Sequence, residues 1–118
     1  MKRVLVVDDA EFIRLLFRQY LTASGYQVSE ASNGVQAIEQ YTANQPDAVL
    51  LDVTMPGMDG LEVLREIMKV DSAARVMMVT ATSQQFIMMD ALKAGAKDFM
   101  VKPFRPERLV AAIEKLVA

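Results

Sequence analysis

Apolar residues alternate along the chain between short continuous runs and helically spaced sets. Arg3–Val7 (RVLVV) is a run beside charge and predicts a buried strand. Phe12, Ile13, Leu16, Phe17, Tyr20 and Leu21 then recur at helical spacing, and Gly25 supplies a stop. Gln27–Ala31 (QVSEA) predicts a second strand, and the turn residues Ser32-Asn33-Gly34 follow it. Val35–Asn44 predicts a helix with Val35, Ile38 and Tyr41 on one face, broken at Gln45-Pro46. Ala48–Leu51 (AVLL) is a third strand that ends at Asp52, and the loop VTMPGMDG comes next. Leu61–Val70 predicts a helix, Arg75–Thr80 (RVMMVT) a strand, Gln84–Ala94 a helix closed by Gly95, and Asp98–Val101 a fifth strand. Pro106 suits the first turn of a last helix, 106–117, with Glu107 near its positive end and Leu109, Val110, Ile113 and Leu116 inward.

This is βα five times over, without a linker or low-complexity segment. The strands are continuous apolar runs, so both faces of the sheet are covered. The expected fold is therefore α/β, a doubly wound five-stranded parallel sheet with helices on both faces. In such sheets the functional crevice lies beyond the carboxyl ends of the strands. The first strand ends in Asp8-Asp9, the third in Asp52, the fourth in Thr80 and the fifth in Lys102. Each has an ordinary reading alone: a helix cap for Asp8 or Asp9, an Asx-turn for Asp52, a β-former for Thr80, and a solvated strand end for Lys102. The case for chemistry is their coincidence at one end of one sheet.

Composition narrows that chemistry. The 118 residues make one domain, 53% apolar and 24% charged, large enough for a two- or three-layer core. The net charge of −2 disfavours nucleic-acid binding by this chain alone. There is no cysteine and no histidine, which removes disulfides, thiolate or imidazole metal ligands and Ser-His or Cys-His catalysis. A reducing cytoplasm is the expected compartment. The opening MKRVLVV is too short in its apolar part for a signal peptide, and no run is long enough to span a bilayer. What remains is oxygen-ligand metal chemistry. Three close carboxylates repel one another unless a cation joins them. A divalent magnesium ion and Lys102 would bring the three carboxylates to neutrality, so the site could accept a phosphoryl group. A carboxylate is then a competent nucleophile, giving an aspartyl phosphate.

The stretches VLVVDD, LLDVTMPGMDG, VMMVTA and KAGAKDFMVKPF resemble, in order and over essentially the whole chain, the receiver domain of bacterial two-component response regulators. The likeness is greatest to its stand-alone chemotaxis regulators. The resemblance implies a flavodoxin-like sheet of order 2-1-3-4-5. It makes Asp52 the phosphoacceptor, Asp9 the direct magnesium ligand, Asp8 a ligand largely through water, and Thr54 a ligand through its backbone carbonyl, with manganese able to substitute. It makes Thr80 the switch hydroxyl and Lys102 the phosphoryl-pairing lysine, aimed inward by a cis Lys102-Pro103 peptide. Phe99 stands where the family places an aromatic switch, often tyrosine. Ala81 keeps the site open, and Thr54 and Thr82 occupy rate-tuning positions. A histidine kinase is the implied phosphodonor. A downstream target is expected on the face formed by helix 84–94, strand 98–101 and helix 106–117. That helix carries Phe86, Ile87, Met88, Met89 and Leu92, more apolar residues than one buried stripe needs. The expected state is a monomer, with weak dimerisation on phosphorylation left open, and no output domain.

Other readings are a receiver fragment of a larger transcriptional regulator, an aspartyl-phosphate phosphatase and a flavin carrier. The phosphatases resemble this chemistry but want Asp-x-Asp at the end of the first strand, whereas the stretch here is Asp52-Val53-Thr54 on the third. A flavin carrier wants a Ser/Thr/Gly-rich phosphate loop after the first strand, where this chain has DDAEF.

Overall fold

The computed structural model describes residues 2–53, 59–81 and 86–118. Thr54 and Thr82, assigned above by resemblance, lie outside the described residues. The elements run β1 (Arg3–Val7), α1 (Glu11–Ala23), β2 (Gln27–Ala31), α2 (Gly34–Asn44), β3 (Ala48–Asp52), α3 (Gly60–Val70), β4 (Val76–Ala81), α4 (Met88–Ala94), β5 (Asp98–Lys102) and α5 (Pro106–Val117). All strand pairs are parallel and the order is β2-β1-β3-β4-β5.

Strand side chains alternate between two cores, as the pleat requires. Leu5, Val7, Val49, Leu51, Val76 and Met78 pack with Ala37 and Tyr41 of α2, Val63, Leu64 and Ile67 of α3, and Met88 and Ala91 of α4. Val4, Val6, Ala48, Leu50, Met77, Val79 and Met100 pack with Phe17 and Leu21 of α1 and Leu109, Ile113 and Val117 of α5. Every residue of β3 is buried, which is why that strand reads as apolar until its final aspartate. At about 1.5–3 kcal/mol for each large apolar side chain buried, this double burial dominates the stability.

The helix ends are fixed by local chemistry. Asn33 accepts from the N–H of Gln36 to cap α2, and Asp59 accepts from Glu62 to cap α3. Gly95 closes α4 with φ +118°, a left-handed conformation that glycine adopts without strain. Two expectations need correction. The helix placed at Gln84–Ala94 is α-helical only from Met88, because the apolar periodicity runs through Phe86 and Ile87 without a cap to mark the start. Gln84 and Gln85 lie outside the described residues. Val35 and Phe12, counted in the helically spaced apolar sets, are exposed. Each sits in the first turn of its helix, and the burial falls on Ala37, Tyr41, Phe17 and Leu21 instead.

Candidate functional site

Strand order reverses between β1 and β3, so the ends of these two strands open the crevice where ligands bind in open α/β sheets. Asp8 continues the β1 ladder by one residue, its N–H donating to the carbonyl of Ala31 at 3.1 Å. Its Oδ1 accepts from the N–H of Ala10 at 2.9 Å, and the guanidinium of Arg14 donates to its carbonyl at 2.7 Å. The Ala10 cap position of α1 has no side-chain cap bond, so the ordinary capping reading reduces to an Asx-turn at Asp8. Asp8 is only 2% exposed, and among the described residues its buried Oδ2 has no hydrogen-bond partner. Burial is the main cause that holds its carboxyl above the usual aspartate range. The Ala10 N–H and the charge of Lys102 pull the other way, and neighbouring Asp9 adds to the rise.

Asp52, 8% exposed at the end of β3, faces the same space. Lys102 Nζ lies 3.8 Å from Asp52 Oδ1 and 3.7 Å from Asp8 Oδ2, so one half-buried ammonium spans both carboxylates. Asp9 is exposed and completes the cluster: one carboxylate oxygen each from Asp8, Asp9 and Asp52 lies within 4.8 Å of the others. Three hard oxygen donors this close, one with an orphaned lone pair, suit magnesium or manganese.

The lysine is positioned by what surrounds it. The Lys102–Pro103 peptide is cis. Phe104, next in the chain, stacks on Phe17 of α1 with centroids 5.7 Å apart and ties this loop to the helix. Thr80 is fully buried, but its hydroxyl donates to the Ala81 carbonyl at 3.0 Å. The alternation that sends Val76 and Met78 toward α2, α3 and α4 gives Thr80 the same side, while Asp52 shares the side of Leu50. The structure therefore brings Asp8, Asp9, Asp52 and Lys102 together and leaves the Thr80 hydroxyl on its own backbone. Ala81 is exposed beside Thr80, and Phe99 lies on the outer part of β5.

Gly60 was read only as part of a loop, and it proves to be tightly constrained. Its N–H donates to the Val53 carbonyl at 2.9 Å, bringing the start of α3 against the end of β3. A Cβ on Gly60 would fall inside contact distance of the Asp52 carbonyl oxygen and 2.7 Å from Val53 Cα. The Asp-Gly pair just before an apolar helix was its only sequence signal.

The comparisons agree with this architecture. The response regulator receiver domain family matches residues 4–114. The chain is 48% identical over 116 residues to the chemotaxis protein CheY of Thermotoga maritima, covering 98% of this chain and 97% of the relative. It is 36% identical to sporulation initiation phosphotransferase F of Bacillus subtilis, covering 97% of this chain and 92% of that one. Among solved structures, chemotaxis protein CheY4 of Vibrio cholerae superposes with a TM-score of 0.93 at 29% identity, covering 98% of both chains. An acidic crevice at the β1–β3 switch point, a lysine closing β5 and a family match over nearly every residue lead to one conclusion: the chain belongs to the response regulator receiver domains of two-component signalling.

Proposed function

We propose that the chain is a phosphorylation-activated switch of the chemotaxis type, in which Asp52 takes a phosphoryl group from the phosphohistidine of a partner kinase. The observation that carries this reading is the buried Asp52 carboxylate held beside Lys102 and two further aspartates. Asp52 attacks phosphorus, the phosphorus–nitrogen bond to the kinase imidazole breaks, and an aspartyl phosphate forms. Asp8, Asp9 and Asp52 would hold magnesium, which when bound neutralises charge on the transferring oxygens. Lys102, already within 4 Å of Asp52, pairs with a phosphoryl oxygen.

The switch follows from Thr80. Its hydroxyl leaves the Ala81 carbonyl for a phosphoryl oxygen, which vacates space toward which Phe99 turns. Making an active minor state dominant takes roughly 3–5 kcal/mol. A few charge-assisted hydrogen bonds at ~1.5–3 kcal/mol each supply that. Phe86, Met89, Leu92 and Phe99 are exposed on the α4–β5 side, which supports a partner surface there. Water attack on the aspartyl phosphate resets the domain, so no free substrate is turned over.

The test is incubation with a small acyl phosphate or phosphoramidate donor and magnesium. Stoichiometric, magnesium-dependent labelling is expected of the wild type and none of Asp52→Asn. Equal labelling of the variant would refute the acceptor assignment.

A further inference from the structure

Arg14 is a basic residue near the start of α1, where the helix dipole disfavours positive charge. Its side chain is only 15% exposed. Nothing in the phosphoacceptor chemistry requires an arginine there, yet its guanidinium reaches two acceptors on different segments. One nitrogen donates to the Asp8 carbonyl at 2.7 Å and Nε donates to Glu30 Oε1 at 3.2 Å. Glu30, on β2, is held in turn by Arg18 through its other oxygen. The first helix is thereby pinned to β2 through Glu30 and to the end of β1 through the backbone of a cluster aspartate.

The Asp8 carbonyl belongs to the Asp8–Asp9 peptide, so its direction sets how the Asp9 side chain leaves the backbone. With Arg14 in place, the Asp8 N–H, carbonyl and Oδ1 all have fixed partners, and only Oδ2 is left to face the crevice. Three residues along α1, one helical turn on, Phe17 stacks on Phe104 and anchors the loop after Lys102. One helix therefore fixes both the carboxylate side and the cation side of the crevice.

We propose that Arg14, anchored on Glu30, is a positioning residue for cation binding: it locks the Asp8–Asp9 peptide so that both carboxylates are held ready for a divalent ion. This rests on reading the cluster as a metal site, as proposed above. Groups that orient metal ligands typically contribute 10–100-fold in affinity.

The test is manganese titration followed by electron paramagnetic resonance, without phosphodonor and well below the unfolding midpoint. Wild type, Arg14→Met, Arg14→Lys, Glu30→Gln and Asp9→Asn are compared. Arg14→Met keeps the apolar stem and should bind manganese ~10-fold more weakly. Arg14→Lys should recover part of the loss, since an ammonium can reach the carbonyl but cannot hold both acceptors as the fork does. Glu30→Gln should fall between Arg14→Lys and wild type. The donor-labelling rate of Arg14→Met at saturating magnesium should return close to the wild-type value, with only the magnesium requirement raised. A lower unfolding midpoint with unchanged manganese affinity in Arg14→Met would overturn the proposal, and if that variant does not fold, unchanged affinity in Glu30→Gln would do so. Asp9→Asn binding manganese as the wild type does would instead overturn the reading of the site, and this inference with it.

Discussion

Asp8 and Asp71 begin from the same local geometry. Each uses Oδ1 to accept the N–H two residues on, at 2.9 Å: Ala10 for Asp8 and Ala73 for Asp71. Their second oxygens part company. Asp71, at the end of α3, accepts the Tyr41 hydroxyl of α2 at 2.7 Å, which closes the seam between the two helices. Among the described residues, Asp8 Oδ2 accepts no hydrogen bond, and the Lys102 ammonium lies 3.7 Å from it. The consequences are opposite. The Tyr41 hydrogen bond, helped by the Ala73 N–H, lowers the Asp71 carboxyl below the aspartate range, whereas burial raises that of Asp8. A carboxylate that closes its own hydrogen bonds serves the fold. One left buried and short of a partner is kept for something that arrives later.

The largest effect that would break this contrast comes from Gly60, because it acts on the backbone behind the site. Gly60→Ala forces a Cβ against the end of β3, and overpacking of this kind costs about 1–3 kcal/mol. Urea denaturation should show the loss. Because the displaced segment carries Asp52, donor labelling should fall in protein that remains folded. Full stability would mean that α3 approaches β3 less closely than described.

A smaller effect sharpens the other side. Tyr41→Phe removes the hydroxyl from Asp71 and should lower the unfolding midpoint by a few degrees at most while leaving labelling unchanged. Its pH dependence carries a sign at each end. Asp71 is lowered on folding, so its contribution is present above the ordinary aspartate value of ~3.9 and fades as pH falls through its folded value. Tyr41 is raised, chiefly by burial and then by Asp71, so its contribution is present below about pH 10 and fades as pH rises through its folded value. The gap between wild type and Tyr41→Phe should therefore be widest between those limits and narrow at both extremes. A gap independent of pH would show that the pair contributes only by packing.

The sequence made most of the fold legible, because both-sided burial turns parallel strands into unbroken apolar runs and the helices carry their own periodicity. Element ends were read less well. Val76, Met88 and Lys102 are boundaries set by neighbouring strands and by caps that no residue type announces. At the site, Asp8, Asp9, Asp52 and Lys102 were legible because each ends a strand. Thr80 was legible as a strand end, but its bond to Ala81 depends on the pleat and could not be read. Gly60 and the Arg14–Glu30 pair were missed because their meaning is a distance between different elements, which neither residue type nor periodicity encodes. The helix dipole was the one clue to Arg14: a cation in that position asks for partners.

The crevice holds a carboxylate, Asp8, whose burial beside Lys102 is unfavourable until a divalent cation joins it. Thermal unfolding of wild type and Asp8→Asn, each with and without magnesium, tests it most directly. Without the ion, Asp8→Asn should unfold at a higher temperature than wild type, by roughly the 4 °C that 1 kcal/mol gives in a small domain. Magnesium at ten times its Kd should stabilise the wild type by about 1.4 kcal/mol and the variant by much less. A less stable metal-free Asp8→Asn, or a variant that responds to magnesium as the wild type does, would contradict the account.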